Sequence, residues 1–378
     1  MQLQKSLSHL SPGFSATLLA VLFATLSVQS ISIFTDQASN LSIKPFHLIF
    51  IILTPLALMA FRISKGVLVL IGSFIAISIL SSLIAYLSGW PLKPLIVNYI
   101  FALLVFITAS SLHAGNSRPI SGLQLISWLI LIFVFVKLGF FWTSIQEYLS
   151  NPFAHPELFW LYGGGPNLEA TWLMLNAAFF RRTKIFWAFW VLSFSISILY
   201  ASRVGVVLGL ALLFFHLSSF PLRRASLVFP LLIATVGVLL NVINPYALVR
   251  FFQIGEEVGS KTRLEMWFGA WEALQEMPIT GYGAGGALSA IERTTGKVFV
   301  EDNLHNYFLQ VLLDFGMLGF IVWLLIVAYI LNHANIPKGD EYGTYLVLYL
   351  VAALVQFRGA DPLFWFVMGL FVATRRGG

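Results

Sequence analysis

One long polar segment, from Arg250 to Trp323, sets the architecture of this chain; it reads RFFQIGEEVGSKTRLEMWFGAWEALQEMPITGYGAGGALSAIERTTGKVFVEDNLHNYFLQVLLDFGMLGFIVW. It is rich in charged residues, glycines and turn residues, whereas most of the remaining chain is apolar. Near its end, His305 and Asn306 lead directly into a new apolar span. Polar loops that connect buried elements often carry function. We therefore expect any chemistry of this protein to lie within this segment.

The composition predicts a membrane protein. Of the 378 residues, 58% are hydrophobic and 10% are charged, whereas soluble domains carry about 25% charged residues. Repeated apolar runs of roughly 17–25 residues are long enough to cross a hydrocarbon core of ~30 Å. The chain has no cysteine, which excludes disulfides and thiolate metal sites. We predict an all-α polytopic membrane protein with about 12 transmembrane helices and one long loop that contains an amphipathic helix.

The apolar runs divide the chain into three parts. Transmembrane helices 1–9 occupy residues 1–243, a long loop occupies 244–304, and helices 10–12 occupy 305–378. The predicted spans are 14–33, 46–61, 66–87, 95–112, 122–141, 168–180, 185–201, 204–219, 225–243, 306–331, 342–357 and 362–374. Gly205 and Gly209 in the eighth span form a small-xxx-small pair, which is typical of a helix contact.

Charge decides the predicted orientation. With the N-terminus inside, most lysines and arginines of the short loops fall on the cytoplasmic side, and the opposite loops hold only Lys44, Lys93, Arg203 and Arg358. Cytoplasmic loops carry this excess of Lys and Arg. The same rule explains much of the net charge of +6, so no nucleic-acid partner is predicted. Both termini are then cytoplasmic, and the 244–304 loop faces outward.

An amphipathic helix is predicted inside the long loop. Thr262 to Glu265 fits a capping box, and the helix it opens would run to Met277, before Pro278. Its apolar face and its acidic face predict a helix that lies on the membrane surface. The apolar face holds Leu264, Trp267, Phe268, Trp271 and Leu274, and the acidic face holds Glu265, Glu272 and Glu276. Arg263 falls at the height of lipid headgroups, where an ordinary snorkelling arginine is the alternative interpretation.

The glycine-rich segment from Gly281 to Gly286 matches G-x-G-x-x-G by spacing. No strand precedes it and no βαβ unit surrounds it, which argues against a dinucleotide-binding fold. A turn, or backbone amides that approach an anion, fits the pattern better.

A polar stripe begins at the outer end of the tenth span. Asn306, Gln310 and Asp314 repeat every four residues on an apolar helix, and such a stripe faces a cavity or another helix. His305 stands above the stripe and follows Glu301 and Asp302. A lone histidine is normally structural, but this position also suits an acid–base residue.

Arg203 lies in a tight connection between the seventh and eighth spans, on the outer side where arginine is disfavoured. This placement suggests an anionic partner, and pyrophosphate suits the fork of guanidinium donors. Arg358 and Asp361 in the last outer turn could join the same cavity or pair with each other. No sequence pattern of metal ligands occurs on the outer side, so no metal site is predicted.

Taken in order, these motifs resemble the O-antigen ligase/polymerase family. The resemblance covers roughly residues 200–323, whereas the first five spans match only in topology. It rests on Ser202-Arg203-Val204-Gly205, Arg263 before Met266-Trp267, Pro278-Ile-Thr-Gly281-Tyr-Gly283, His305-Asn306-Tyr307, Gln310 and Gly316-Met-Leu-Gly319.

The resemblance implies a metal-independent glycosyltransferase of the bacterial inner membrane that faces the periplasm and needs no cofactor. The implied donor is a glycan on undecaprenyl pyrophosphate, and the implied acceptor is lipid A–core or a growing glycan. Arg203 and Arg263 would hold the pyrophosphate, and His305 would act on the acceptor hydroxyl. We expect further substrate contacts from Arg250, Asn306, Arg358 and Asp361.

Three functions remain open from the sequence. O-antigen ligation is favoured, and a polysaccharide polymerase of the same superfamily is the alternative. A transporter of lipid-linked glycans is the rival from another class. It would be expected to show internal repeats and more charge at mid-membrane depth, and we find neither pattern in the sequence.

Overall fold

A computed structural model describes residues 12–36, 41–59, 64–91, 93, 95–113, 119–150, 159–162, 165–218, 258–299, 301, 303–356 and 360–375. Within these ranges the regular secondary structure is α-helical, apart from one small hairpin and two 3₁₀ turns at Ala177–Phe180 and Ile336–Lys338. The α-helices are α1 Pro12–Ser27, α2 Pro45–Met59, α3 Lys65–Leu87, α4 Leu95–Leu112, α5 Ile120–Phe140, α6 Trp142–Ser150, α7 Pro166–Asn176, α8 Phe186–Leu199, α9 Arg203–Leu217, α10 Val258–Gln275, α11 Gly286–Thr295, α12 Tyr307–His333, α13 Glu341–Ala353 and α14 Pro362–Thr374.

The predicted all-α class is confirmed, and one small hairpin accompanies the helices. Strand β1, Phe34–Asp36, pairs antiparallel with β2, Leu41–Ile43, so that Phe34 is opposite Ile43. The hairpin follows α1, which ends at Ser27 and not at residue 33 as the hydropathy suggests. The backbone N–H groups of Gln29 and Ser30 instead donate to the Leu161 carbonyl. Tertiary hydrogen bonds therefore end this helix early.

Each predicted span that the structure describes contains helical residues. The ninth predicted span, 225–243, lies outside the described residues. Among the described helices, α3, α4, α5 and α12 are long and apolar enough to cross a membrane, and five shorter helices are also apolar. The sixth predicted span is divided between α7 and the 3₁₀ turn that follows it. A membrane protein of helical class is thus supported, while the number of twelve spans stays a prediction.

Close helix contacts fix the position of α9, whose first residue is Arg203. A Cβ at Gly209 would lie 2.3 Å from the Phe194 ring of α8, and a Cβ at Gly205 would lie 2.6 Å from the Ser197 hydroxyl. The indole N–H of Trp190 donates to the Gly209 carbonyl at 2.9 Å. These two glycines therefore allow the close helix contact that their spacing predicts.

The described part of the long loop has a small hydrophobic core of its own. Met266, Ala270 and Ala273 on α10 are fully buried against α11 and the start of α12. Gly269 permits this approach, because a Cβ there would lie 2.7 Å from Ile291 of α11. Tyr282 closes the core, and its hydroxyl donates to the Ala273 carbonyl at 2.8 Å. The segment is thus a packed helical unit that can hold side chains in fixed positions.

Helix α12 is broken at Gly316, where the backbone adopts φ 66° and ψ −169°. The break frees carbonyl groups that the glycine-rich segment uses. Tyr282 N–H donates to the Leu313 carbonyl and Gly283 N–H to the Asp314 carbonyl, both at 2.8 Å. The long loop is thereby tied into the wall of the helix bundle.

Candidate functional site

Arg203 and Arg263, distant in sequence, line one cleft. The cleft is open to the surface, and the empty space within it, open solvent included, is about 450 Å³. The lining is mostly polar and comes from α7, the α8–α9 turn, α10 and the end of α13: Asn167, Ala201, Arg203, Val204, Gly259, Ser260, Arg263 and Gln356. Two guanidinium groups on one cleft offer charged hydrogen-bond donors, which suit an anionic ligand.

The first turns of α7 and α9 meet at this cleft. Asn167 is the second residue of α7 and Arg203 is the first residue of α9, and Gly259 and Ser260 of α10 lie beside them in the lining. The N-terminus of a helix carries a partial positive charge and N–H groups that its own turn does not use. Both properties favour phosphate groups, so the helix ends reinforce the charge of the two arginines.

The turn before Arg203 has a strained backbone. Ala201 N–H donates to the Ile198 carbonyl and Ser202 N–H to the Ser197 carbonyl, both at 2.9 Å. This is the Schellman pattern that ends a helix. Ala201 has φ 47°, a conformation that costs a residue with a Cβ roughly 1–2 kcal/mol. Ser202 then caps α9 by accepting from Gly205 N–H at 3.2 Å. Strain of this kind is often found at functional sites.

Helix α10 begins at or before Val258, so the predicted capping box at Thr262 is wrong. Thr262 lies in the second turn, where the preceding residues already supply helical hydrogen bonds. The earlier start places Gly259, Ser260 and Arg263 on one helix face, because residues three and four apart are neighbours. Arg263 is half-buried on that face. The snorkelling interpretation of Arg263 does not account for this position in a polar cleft.

The predicted apolar face of α10 is divided between two environments. Phe268 and Trp271 are 73% and 70% exposed, and Leu264 is 37% exposed on the same side. Trp267 and Leu274 instead pack against the small core. Small residues on α10 let α11 approach so closely that the adjoining large side chains become part of the interface. The outward patch of Leu264, Phe268 and Trp271 still fits a helix on a membrane surface.

His305 lies at the start of α12 in a left-handed conformation, with φ 50°. Its Nε2 lies 3.0 Å from Oε2 of Glu301, and its backbone N–H donates to Oδ1 of Asn303 at 2.9 Å. The side chain is 16% exposed. Nδ1 is buried and has no hydrogen-bond partner within the described ranges. The carboxylate and the strained backbone together hold the imidazole in a defined orientation.

One hydrogen bond connects the His305 region to the arginine cleft. The indole N–H of Trp267 donates to the carbonyl of Leu304 at 2.8 Å. Trp267 is four residues after Arg263, so both share one side of α10. Leu304, the residue before His305, is therefore hydrogen-bonded to the helix that carries Arg263. The bond lies one helical turn from the cleft.

The glycine-rich segment binds an anion that belongs to the chain itself. The two oxygens of the buried Asp314 carboxylate accept from Gly285 N–H and Ala287 N–H, each at 2.9 Å. Asp314 thus satisfies amides at the N-terminus of α11. Gln310 also faces this carboxylate, with its Nε2 at 3.4 Å. Two amides that could approach a phosphate are thus occupied, and the polar stripe has a structural partner.

The other predicted substrate contacts differ in what the structure shows of them. Asn306 caps α12 by accepting from Leu309 N–H at 3.0 Å. Asp361 caps α14 by accepting from Leu363 N–H at 3.1 Å, and it is not among the residues that line the cleft. Arg250 and Arg358 lie outside the described residues. For Asn306, Asp361, Arg250 and Arg358 alike, contact with a substrate stays a prediction.

Several polar residues at or behind the cleft are not among the predicted site residues. Asn167 and Gln356 line it, and the hydroxyl oxygen of Thr171 lies 2.6 Å from Oε1 of Gln356. Lys137 and Glu169 form a buried ion pair behind it. Lys137 lies inside an apolar run, and an ionisable residue at such a place is a functional candidate by default. That signal was present in the sequence.

Burial raises the pKa of the Tyr282 hydroxyl, which keeps this phenol a hydrogen-bond donor within the small core.

Among the described residues, no group of three or more His, Asp or Glu side chains could hold a metal ion. Whether the protein acts without a metal therefore stays a prediction.

Together, the apolar helices and the cleft with its two arginines are consistent with a helical membrane protein whose site suits an anionic ligand. Residues 174–324 match the model of a family described as O-antigen ligase, which supports the O-antigen ligase/polymerase family. The match begins within α7 and ends within α12, and it includes Arg203, Arg263 and His305. No curated protein matches the chain.

Proposed function

We propose that the protein is a glycosyltransferase that moves a glycan from undecaprenyl pyrophosphate to an acceptor hydroxyl, with O-antigen ligation to lipid A–core at the periplasmic face of the inner membrane as the favoured reaction. The observation that carries this proposal is the cleft in which Arg203 and Arg263 meet at the first turns of α7 and α9. Pyrophosphate is the charged part of the proposed donor. The family match supports ligase or polymerase activity in general.

The arginines account for departure of the donor's leaving group. The acceptor oxygen forms a bond to the anomeric carbon while the bond from that carbon to the pyrophosphate oxygen breaks. Negative charge then develops on the departing undecaprenyl pyrophosphate. Arg203 and Arg263 can stabilise this charge through planar, bidentate hydrogen bonds. Preorganised donors directed at developing charge usually contribute more to an enzyme's rate enhancement than any other effect.

His305 and Glu301 account for the proton of the acceptor hydroxyl. Histidine can take up a proton near neutral pH, and the carboxylate 3.0 Å from Nε2 stabilises the imidazolium that results. In this arrangement the proton goes to Nδ1, which has no hydrogen-bond partner within the described ranges, and Glu301 orients the ring through Nε2. The acceptor would bind between this pair and the arginine cleft, on the side of α10 that Trp267 connects to Leu304.

The exposed patch of α10 accounts for access of a lipid donor. Leu264, Phe268 and Trp271 are exposed on the helix that also carries Arg263 into the cleft. An apolar helix face in the membrane interface would keep the cleft at the depth of lipid headgroups. A pyrophosphate with a polyprenyl chain could then reach the arginines while its chain remains in the bilayer.

Polysaccharide polymerisation is the alternative for the same site, because it uses the same donor chemistry with a different acceptor. Lipopolysaccharide from a deletion strain separates the two functions. Full-length glycan chains that remain unattached indicate a ligase, and single repeat units on core indicate a polymerase. Transport without transfer is the third hypothesis, and a purified protein that transfers glycan in vitro contradicts it.

Replacement of either arginine tests the site. Arg203→Ala or Arg263→Ala should lower glycan transfer roughly 100-fold or more, the scale seen when one preorganised donor is lost. Lysine should restore activity only in part, because it offers a point charge without a planar fork. Arg293→Ala, on α11 outside the cleft, is the matched control and should retain activity. Wild-type rates in Arg203→Ala or Arg263→Ala would contradict the proposal.

A further inference from the structure

A charged network that the proposed mechanism does not use lies behind the cleft. Lys137 of α5 and Glu169 of α7 form an ion pair with exposures of only 4% and 0%. Charged side chains inside a membrane protein are costly and generally mark a functional site. A role for this pair must be consistent with its complete burial, which keeps it from contact with a substrate.

Among the described residues, Glu169 accepts hydrogen bonds from three donors in different parts of the chain. Lys137 Nζ binds its Oε1, the Tyr200 hydroxyl donates to the same oxygen at 2.9 Å, and Leu161 N–H donates to Oε2 at 3.2 Å. The Lys137 ammonium also lies 4.5 Å from the centre of the Trp160 ring. A carboxylate that is paired and hydrogen-bonded in this way can be buried without an uncompensated charge.

Both ends of this network adjoin walls of the cleft. Asn167, which lines the cleft, is two residues before Glu169 on α7. Tyr200 immediately precedes Ala201, the strained residue that also lines the cleft. Arg203 follows two residues later, at the first position of α9. The network thus holds the α7 wall and the α8–α9 turn at a fixed separation.

The strained backbone at Ala201 is what the hydrogen bond between Tyr200 and Glu169 would stabilise. A left-handed alanine persists only where the surrounding structure over-determines it. On its carboxyl side, the turn is held by the Ser202 cap of α9. On its amino side, the side chain of Tyr200 is held by Glu169. Without the second anchor the turn can relax, and Arg203 would lose its fixed position relative to Arg263.

We propose that Lys137, Glu169 and Tyr200 form a positioning network that holds Arg203 in place for the pyrophosphate of the donor. The inference rests on the proposed function of the cleft. Tyr200 is the most informative member, because Tyr200→Phe removes a single hydroxyl and keeps the ring that packs against Trp160. Glu169 and Lys137 are less suitable, because loss of one partner leaves the other charge buried and alone.

The test compares Tyr200→Phe with Thr54→Val in the full-length protein, purified in lipid nanodiscs. Thr54 also makes a buried hydroxyl hydrogen bond, 3.0 Å to Thr108, but lies outside the cleft. The thermal midpoint and the Kd for undecaprenyl pyrophosphate are measured for each. Both variants should lose similar stability. Tyr200→Phe alone should weaken binding roughly tenfold, within the range of couplings between residues that share one network.

A double-mutant cycle with Arg203→Ala completes the test. If Tyr200 acts through Arg203, Tyr200→Phe should weaken binding little further once Arg203 is alanine. Wild-type affinity in Tyr200→Phe, with a lowered thermal midpoint, would overturn the inference and leave the donor site intact. Equal affinity of wild type and Arg203→Ala would instead refute the donor site, and this inference with it.

Discussion

At the scale of single residues, the two parts of the proposed site share one feature. Ala201 and His305 are the non-glycine residues with positive φ in the described part of the chain. One precedes Arg203 in the cleft, and the other is the proposed acid–base residue. Each such conformation costs of order 1–3 kcal/mol and commonly occurs where a functional geometry is maintained. Strained backbone thus occurs at the same two places where the side chains indicate a function.

His305 should be essential for transfer and dispensable for donor binding. If it accepts the proton of the acceptor hydroxyl, His305→Ala should lower the transfer rate by ~10²–10⁴-fold, the usual value of general acid–base assistance. Affinity for undecaprenyl pyrophosphate should remain, because the arginines lie in a separate cleft. Transfer by purified protein and lipid binding in nanodiscs measure the two effects.

His305→Gln distinguishes the two possible roles of the imidazole. Glutamine can keep a hydrogen bond but cannot take the proton, so it should be as inactive as alanine if His305 is a base. Substantial activity in the glutamine variant, with none in alanine, would leave an orienting role and exclude the base. Near wild-type transfer in His305→Ala would show that the histidine is not catalytic.

At the scale of secondary structure elements, the break in α12 carries the organisation of the site. Gly316 and Gly281 have positive φ and touch each other through their backbones, so that a Cβ at Gly281 would lie 2.4 Å from the Gly316 nitrogen. Ser81 of α3 donates to the Asp314 carbonyl beside the break at 2.9 Å. The glycine-rich segment therefore acts as a structural joint between α11, α12 and α3. His305 stands one helix segment above it.

Gly316→Ala should destabilise the fold severely. A Cβ there would lie 2.0 Å from the Ile279 carbonyl oxygen, in a backbone region open essentially to glycine alone. Strain and overpacking together predict a loss of roughly 2–6 kcal/mol. Gly72→Ala in α3 is the control, because its Cβ would meet nothing within 4 Å. Thermal unfolding in detergent measures both, and a Gly316→Ala protein as stable as Gly72→Ala would contradict the described joint.

At the scale of the whole molecule, the orientation in the membrane decides which compartment the cleft faces. The lysine and arginine bias predicts that the long loop is periplasmic and that both termini are cytoplasmic. The chain contains no cysteine, so single cysteines can be introduced without background. Lys297 in the long loop and Lys338 between α12 and α13 are both exposed, which makes them suitable positions.

A cysteine at position 297 should react with a membrane-impermeant thiol reagent in intact spheroplasts. A cysteine at position 338 should react only after the membrane is disrupted, because its side of the membrane is predicted to be cytoplasmic. Gel analysis of the labelled protein reads out both. The reverse pattern would invert the topology, and a periplasmic glycosyltransferase could not then be maintained.

The membrane class, the limits of most described helices and the residues of the family motifs could all be predicted without the structure. Apolar runs and motif order are local properties, and the hydrocarbon core requires helices wherever such runs occur. The predicted start of α10 was late by at least four residues, because the capping pattern at Thr262 is compatible with a helix that already includes it. Trp267 and Leu274 were assigned to the lipid-facing side, since periodicity does not show which large residues a closely packed neighbour will cover.

The cleft itself could not be predicted in this way. Packing of the helices brings Arg203 and Arg263 to one cleft, with Asn167 and Gln356 beside them. Packing also lets backbone amides of the glycine-rich segment and the start of α11 donate to the Asp314 carboxylate. It pairs Lys137 with Glu169 behind Arg203. These elements are held together by glycine contacts and buried hydrogen bonds between residues far apart in the chain. Sequence spacing describes neighbours on one helix, whereas a site built from several helix ends exists only once those helices are packed.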